Sequence, residues 1–197
     1  MLKLKKEDLR ITKTKQAIKE SFIALVKQKG YNKVSVTDIV NKANINRNTF
    51  YLHYQDKEDL IKKLLNDSAL KIGKLLGYAD FLKHTNFSNI SELQIRWGLR
   101  IILNNMEDDL DLYKTVLDDL SLQGYFDHVL ETMKTAIAVL LDVSNPKSNL
   151  VFEYTMSGIF GLVKQWIKNT TISTAETAKI LAQLSYAGLV KFNKENK

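Results

Sequence analysis

Residues 35–57 read SVTDIVNKANINRNTFYLHYQDK, a pattern typical of two short helices joined by a tight turn. Ser35 and Asp38 form an S-x-x-D capping pattern, in which the serine accepts a backbone N–H and the aspartate faces the positive end of a helix. The residues that follow are apolar at helical spacing, namely Val36, Ile39, Val40 and Ala43. We therefore predict a helix from Val36 to Ala43 that packs one face against a core.

The second helix is marked by two asparagines. Asn44 stands where the chain must reverse, and asparagine tolerates the left-handed conformation that ends a helix. Asn46 can cap the next helix, which leaves an exposed first turn made of Arg47, Asn48 and Thr49. Because such polar side chains can contact base edges in the major groove, this pattern predicts a helix-turn-helix that reads double-stranded DNA.

Aromatic and basic residues follow the reading helix. Tyr51, His53 and Tyr54 precede a new helix that Asp56 can cap, with Lys57 at its start. Helix N-termini and lysine, histidine or tyrosine side chains commonly hold phosphates and fix the register on DNA. Two alternatives stay open, since Tyr54 is equally compatible with the core and His53 with a solvated surface.

The order of these residues resembles the N-terminal DNA-binding domain of the TetR family of transcription regulators, over roughly residues 10 to 65. The matching residues are Phe22, Gly30, Tyr31, Val36, Asp38, Ile39, Ala43, Ile45, Thr49, Phe50, Tyr51, His53, Tyr54, Lys57 and Leu60. Several positions in fixed register are more specific than a lone helix-turn-helix pattern. The chain departs from the family at Asn44, often glycine, at Asn46, commonly serine, and at Asn48, a small residue elsewhere.

The resemblance implies DNA contacts at particular positions. Base or near-base contacts are expected at Thr37, Arg47, Asn48 and Thr49, with Asn46 counted among the DNA-binding residues. Phosphate contacts are expected at Tyr51, His53 and Lys57. The alternative is a three-helix packing unit with a chance polar turn, in which Phe22, Ile39 and Phe50 are core residues alone.

The charge distribution points to the same end of the chain. Residues 1–57 hold 13 lysines and arginines against 5 acidic residues, whereas the rest of the chain is nearly neutral. This asymmetry predicts a polyanionic partner for the first third. The basic run from Lys3 to Arg10 fits either a disordered tail or a phosphate-binding arm.

The remainder of the chain is predicted to be helical, so the fold class is all-α. A single proline and few glycines favour long helices, and no strand alternation is convincing. We predict a DNA-binding domain at residues 1–56 and a helical effector-binding and dimerisation domain at 57–197. A connecting helix follows Asp56, and further helices are expected at about 90–106, 110–121, 126–141, 147–169 and 173–192, with Asn145-Pro146 as a helix start.

The helix predicted at 147–169 is apolar over too much of its perimeter for packing on one side, and the helix at 173–192 offers a face of small residues and leucines. Glycines in the first of them permit close helix approach. In TetR-like proteins the last two helices form a four-helix bundle in the dimer, so we expect a homodimer on a palindromic operator. The candidate interface residues are Val151, Thr155, Gly158, Leu162, Leu181, Leu184 and Gly188. Burial of these faces within one subunit is the alternative.

The same resemblance implies a cavity for a small hydrophobic effector that changes the spacing of the two DNA-binding heads. Candidate lining residues are Trp97, Arg100, Tyr113, Phe126, His128, Phe152, Met156 and Trp166. At each position the alternative is an ordinary core or surface role.

Other function classes find no support in the sequence. There is no cysteine, the three histidines lack metal-ligand spacing, and no nucleophile stands beside a base. We predict no enzymatic activity, no cofactor and no metal, although the acidic run at 107–111 could be a cation site. No apolar run approaches the ~20 residues that span a bilayer, so we expect no membrane association and a cytoplasmic protein.

The favoured interpretation is a repressor released by an effector, and its rival is a co-regulator or architectural DNA-binding protein that docks a protein partner.

Overall fold

The computed structural model of the chain describes residues 2–78, 90–141 and 145–191. These residues contain nine α-helices and no β-strand, which confirms the all-α prediction. The helices are α1 Leu2–Lys29, α2 Val36–Lys42, α3 Arg47–Tyr51, α4 Lys57–Tyr78, α5 Glu92–Asp108, α6 Leu110–Asp118, α7 Leu120–Leu141, α8 Pro146–Lys168 and α9 Thr174–Ser185. A 3-10 turn at Tyr31–Lys33 follows α1, and a π-helical turn at Tyr186–Lys191 follows α9.

The chain forms two compact units. The first contains residues 1–66 together with 115–126, and the second contains residues 67–114 and 127–197. This division differs from the boundary predicted at residue 56, because the first part of α4 belongs with the N-terminal helices. Helices α4, α6 and α7 each contribute residues to both units.

The core of the first unit is built from apolar side chains of α1 to α4. Ile18, Phe22, Ile39, Phe50 and Leu60 have no exposed surface. Tyr54 is 3% exposed, so it closes this core rather than lying on the surface. Full burial of these rings and branched chains favours folding by about 1.5–3 kcal/mol for each side chain, which fixes the orientation of the short α2 and α3.

The second unit is organised around the packing of α5, α8 and α9. A core cluster joins Ile90, Phe152 and Met156, and Ile95 and Ile159 pack against it. The π-helical turn lies close to α8, since a Cβ built on Gly188 would meet Thr155 Oγ1 at 2.7 Å.

Several helix boundaries differ from the predicted ones. Helix α7 begins at Leu120 rather than near Phe126, because the Asp119 side chain accepts the Ser121 N–H at 2.9 Å and caps it. The last α-helix ends at Ser185, where the backbone continues as the π-helical turn. Its predicted end at Phe192 lies outside the described residues.

Candidate nucleic-acid interface

Helix α2 begins with the capping box that the sequence predicts. The Asp38 N–H donates to Ser35 Oγ at 3.2 Å, and the Ser35 N–H donates to the Asp38 carboxylate at 2.8 Å. Lys29 Nζ lies 2.8 Å from the same carboxylate. The Lys29 ammonium, and then the hydrogen bonds from Ser35, hold the pKa of Asp38 well below its usual range. The start of α2 is thereby tied to the end of α1.

The turn between α2 and α3 has the left-handed residue that the sequence predicts. Asn44 has φ 52°, the one positive φ of a non-glycine residue in the described parts of the chain. The Ile45 N–H then donates to the Val40 carbonyl at 3.1 Å, which closes the corner. Asparagine fits here because its short polar side chain lowers the penalty of this conformation.

Helix α3 presents a defined outer surface. The Asn46 side chain caps it by accepting the Asn48 N–H at 2.9 Å, and Phe50 is fully buried beneath it. At 3.6 residues per turn, Asn48 and Leu52 lie on the side opposite Phe50. The Leu52 N–H donates to the Asn48 carbonyl at 3.1 Å, so the helical turn includes Leu52. We call Asn48 and Leu52 the outer ridge of α3.

The outer ridge is flanked by an arginine and a tyrosine. Arg47 donates from Nη2 and Nε to Tyr51 Oη at 3.1 and 3.3 Å, and its guanidinium lies 5.6 Å from the centre of the Tyr51 ring. Thr37, Asn46, Arg47 and Asn48 are exposed, and Thr49 is half-buried. The predicted base-reading residues therefore lie at the surface, with Arg47 held by Tyr51.

His53 is half-buried at the edge of the same surface. Lys63 Nζ donates to the His53 carbonyl at 3.0 Å, which brings a positive charge near the ring. Burial first, and then the charges of Lys15 and Lys63, lower the pKa of His53. The imidazole is therefore biased toward its neutral form in the protein without DNA.

Lys57 has partners inside the protein. Its Nζ donates to the carbonyls of Tyr31 at 3.0 Å and Asn32 at 3.4 Å, and it lies 4.3 Å from the centre of the Tyr31 ring. An ammonium group over an aromatic face is attracted by the ring quadrupole. Lys57 thus anchors the 3-10 turn to the start of α4, and its predicted phosphate contact remains a prediction.

A second anchor of the 3-10 turn comes from far along the sequence. The Tyr31 N–H donates to Asp119 Oδ2 at 2.7 Å, and Asn32 Nδ2 donates to Ser121 Oγ at 2.9 Å. Gly30, immediately before the turn, has φ 78°, which L side chains rarely adopt. Sequence reasoning missed Asp119 and Ser121, because no local pattern reports a contact across so many residues.

The predicted effector residues divide between surface and core positions. Trp97, Arg100 and His128 are exposed, whereas Tyr113, Phe126, Phe152, Met156 and Trp166 are buried in core positions. Phe126 moreover belongs to the first unit. Aromatic and methionine side chains at helical spacing pack in a hydrophobic core as readily as they line a pocket. The sequence pattern could therefore not distinguish a core residue from a ligand contact.

A cavity of about 220 Å³ lies along α8 and α9 in the second unit. Of the predicted effector residues, only Trp166 lines it, and its Nε1 donates to the Ile172 carbonyl at 3.0 Å. The other lining residues are Leu162, Gln165, Asn169, Thr171, Ile172, Thr177, Ile180 and Leu181.

The predicted dimer-interface residues divide into two groups. Leu181 has no exposed surface, and Thr155 is 7% exposed and close to Gly188. Leu181 and Thr155 are therefore buried by their own subunit, and the place of all three residues in a dimer interface stays a prediction. Val151 is half-buried and packs against the core cluster. Gly158, Leu162 and Leu184 are exposed, as an interface requires.

Two further properties of the described residues bear on other function classes. No group of three or more histidine, aspartate or glutamate residues in them is placed to hold a metal ion. None of the helices in the described ranges is both long and apolar enough to cross a membrane.

Comparisons with known proteins agree with this geometry. The family model described as "Bacterial regulatory proteins, tetR family" matches residues 23–64. The chain is 35% identical over 71 residues to the uncharacterized HTH-type transcriptional regulator YxbF of Bacillus subtilis, a match that spans 36% of this chain and 19% of that protein. It is 24% identical over 172 residues to the HTH-type transcriptional regulator AcrR of Shigella flexneri, which spans 78% of each.

The fold is shared along nearly the whole chain. The crystal structure of a TetR transcriptional regulator from Streptococcus agalactiae is 25% identical, has a TM-score of 0.56, and covers 90% of this chain and 96% of its own. A capped, exposed α3 on a buried three-helix core, followed by a helical unit, defines a helix-turn-helix DNA-binding transcription regulator. Residues 23–64 match the TetR family of transcriptional regulators, a non-enzymatic family, and the chain as a whole has the fold of TetR-like regulators.

Proposed function

We propose that two copies of this chain form a homodimer that binds a palindromic operator, represses transcription there, and leaves the DNA when a small hydrophobic effector binds. The first unit contacts DNA, and the second unit dimerises and binds the effector, in the cytoplasm. The outer ridge of α3 carries the DNA-binding part of this proposal. A helix whose first turn is capped, exposed and flanked by Arg47 is suited to base edges in the major groove.

The dimer is supported by apolar side chains that one subunit leaves in water. On α8, Leu150 and Tyr154 are 73% and 82% exposed, and on α9 Leu184 is 55% exposed. Gly158 and Gly161 lie on the same side of α8, and a Cβ added at either glycine would meet nothing within 4 Å, so a second helix can approach closely. Two adjacent helices with such faces are suited to an isologous interface, in which the same surface of each subunit pairs with itself.

The effector is supported by the cavity along α8 and α9. Its lining is mainly apolar, and it includes Trp166 and Leu181. A volume of about 220 Å³ is below the ~300–1,000 Å³ of typical ligand sites, which favours a small ligand. Because the cavity adjoins the exposed Leu162 and Ile180, a ligand there would act on the surface that we propose for dimerisation.

The dimer and its operator are tested together. The full-length chain is used to select bound fragments from genomic DNA, and its mass is measured by sedimentation with and without the selected duplex. We expect a dimer on a site with two-fold symmetry and half-sites about 34–36 Å apart. Leu184→Glu should give monomers that bind this site weakly, and the matched exposed variant Leu93→Glu on α5 should remain dimeric. Monomers of the wild-type chain on an asymmetric site would contradict the proposal.

The effector is tested by thermal unfolding against a library of small hydrophobic molecules. Saturable stabilisation of about 2–3 kcal/mol at a hundred times the dissociation constant, with loss of operator binding, is the expected result. Enlarging a side chain at the cavity, as in Thr177→Leu, should remove that stabilisation. If no compound stabilises the protein, and if the protein binds selected and random duplexes with equal affinity, an architectural DNA-binding protein is the better description.

A further inference from the structure

We propose that Leu52 is a specificity-determining residue of the DNA-binding surface, and that its side chain contacts the 5-methyl group of a thymine in the major groove. This inference rests on the proposed docking of α3 into that groove. Neither the capping pattern nor the family resemblance assigns a role to this leucine.

The position of Leu52 carries the inference. Its side chain is 80% exposed, and it lies on the outer ridge of α3, directly opposite the buried Phe50. Exposed leucines occur on every protein surface, so exposure alone would mean little. Here, however, the leucine shares the outermost line of the reading helix with Asn48. When Asn48 faces the floor of the groove, Leu52 must face it as well.

The chemistry of the groove then limits what Leu52 can contact. A leucine side chain neither donates nor accepts hydrogen bonds, so it cannot hold a phosphate or pair with the polar groups of a base edge. The thymine methyl is the apolar group that base pairs present in the major groove. Burial of these two apolar groups against each other is favourable, and a cytosine or purine at the same position offers no equivalent partner.

Spacing along the helix places this contact next to the one made by Asn48. Four residues of α-helix advance by about 6 Å, whereas successive bases on one strand are about 3.4 Å apart. Leu52 is therefore expected to reach a base pair one or two steps from the one that Asn48 contacts. An asparagine amide pairs well with adenine, so the two residues together favour an A·T-rich half-site.

The test removes one methyl group from the DNA. The duplex selected by the wild-type chain is synthesised with dU in place of each dT in turn, symmetrically in both half-sites, and dissociation constants are measured for wild type and Leu52→Ala. At one position dU should weaken wild-type binding about fourfold per half-site, equivalent to about 0.8 kcal/mol for one methyl group. Leu52→Ala should bind the dT and dU duplexes equally.

Controls separate this contact from other effects. Leu93→Ala removes a leucine that is 65% exposed on α5 and should keep the wild-type response to dU. Leu52→Ala should unfold at the wild-type temperature, because the lost side chain is exposed. The inference is overturned if no dU position weakens wild-type binding, if Leu52→Ala keeps the same sensitivity, or if the selected site has no preferred thymine. Failure of the wild-type chain to bind any duplex would instead contradict the proposed DNA binding.

Discussion

The Tyr31 backbone N–H donates to the Asp119 carboxylate at 2.7 Å, across 88 residues of sequence. The other oxygen of the same carboxylate accepts the Ser121 N–H at 2.9 Å and so caps α7. One side chain therefore joins the 3-10 turn after α1 to the start of α7. Tyr31 and Asp119 both belong to the first unit, and the helix that this carboxylate caps continues along the chain into the second unit.

Asp119→Ala is expected to destabilise the first unit by about 2–4 kcal/mol. The substitution leaves the Tyr31 N–H without its acceptor, which costs about 1–3 kcal/mol, and removes a helix cap worth about 1 kcal/mol. Urea unfolding gives the stability, and amide hydrogen exchange should show lost protection at Tyr31. The neighbouring exposed Asp118→Ala should change stability by less than about 0.5 kcal/mol. Equal effects of the two variants would contradict this role of Asp119.

Gly30→Ala is expected to destabilise the protein by about 1–3 kcal/mol, because its φ of 78° with ψ 150° is a region that alanine occupies only under strain. A new Cβ would lie 3.8 Å from Asp119 Oδ2, an ordinary contact, so the cost is conformational and not steric. Gly124→Ala is the control. It lies within α7 with nothing within 4 Å of its Cβ position, and it should stabilise the protein by about 0.5–1 kcal/mol.

His53 is expected to make stability depend on pH. Its pKa in the folded protein lies below the ordinary value of 6.5, so the unfolded chain takes up the proton first as the pH falls. The contribution of His53 is complete above pH 6.5 and is lost as the pH falls through the folded pKa. Urea midpoints at about pH 8 and about pH 5 should therefore differ less for His53→Gln than for wild type.

The contribution of nearby charges to the lowered pKa of His53 can be measured separately. Lys63→Met removes one of the nearby positive charges, so an NMR titration should give a His53 pKa closer to its ordinary value than in wild type. Burial is the larger cause, and the pKa should remain lowered. A His53 pKa that does not respond to Lys63→Met would contradict the charge contribution.

Arg47→Ala and Lys57→Ala should affect DNA binding differently. Arg47 lies on the exposed flank of α3, so its loss should relax discrimination at one or two base positions at a cost of about 1–3 kcal/mol. Lys57→Ala should weaken selected and random duplexes alike. If Lys57 also contacts a phosphate, the salt dependence of binding falls by about one unit per subunit. An unchanged salt dependence with lower stability would mean that Lys57 acts only through Tyr31.

The local structure of the DNA-binding region could be predicted from sequence because its signals are local. The Ser35 and Asn46 caps, the left-handed Asn44 and the buried Phe50 each follow from a residue type and its near neighbours. The start of α8 was predictable for the same reason, since Asn145 caps it and Pro146 occupies its first position.

The dimer interface, the effector cavity and the partners of Lys57 depend on contacts between distant residues, which the periodicity of the sequence does not reveal. An apolar stripe shows that a face is buried, yet it does not identify the partner. Leu181 and Thr155, which the pattern places at a dimer interface, are buried by their own subunit, and the interface stays a prediction. Phe152 packs in a core cluster and Trp166 lines a small cavity, although both belong to the apolar pattern of the same helix, α8. Lys57 was predictable as basic and near the DNA-binding surface, but its hydrogen bonds to the 3-10 turn were not.

The assignment of residues 115–126 to the first unit limits how these regulators can be recombined. A chimera that joins only residues 1–66 to the regulatory domain of another protein lacks Asp119 and Ser121. The Tyr31 N–H and the Asn32 side-chain amide then lose their hydrogen-bond acceptors, unless the other domain provides equivalent groups. Chimeras that exchange operator specificity should therefore transfer Asp119 and Ser121 together with the DNA-binding helices, although these two residues lie in a separate part of the sequence.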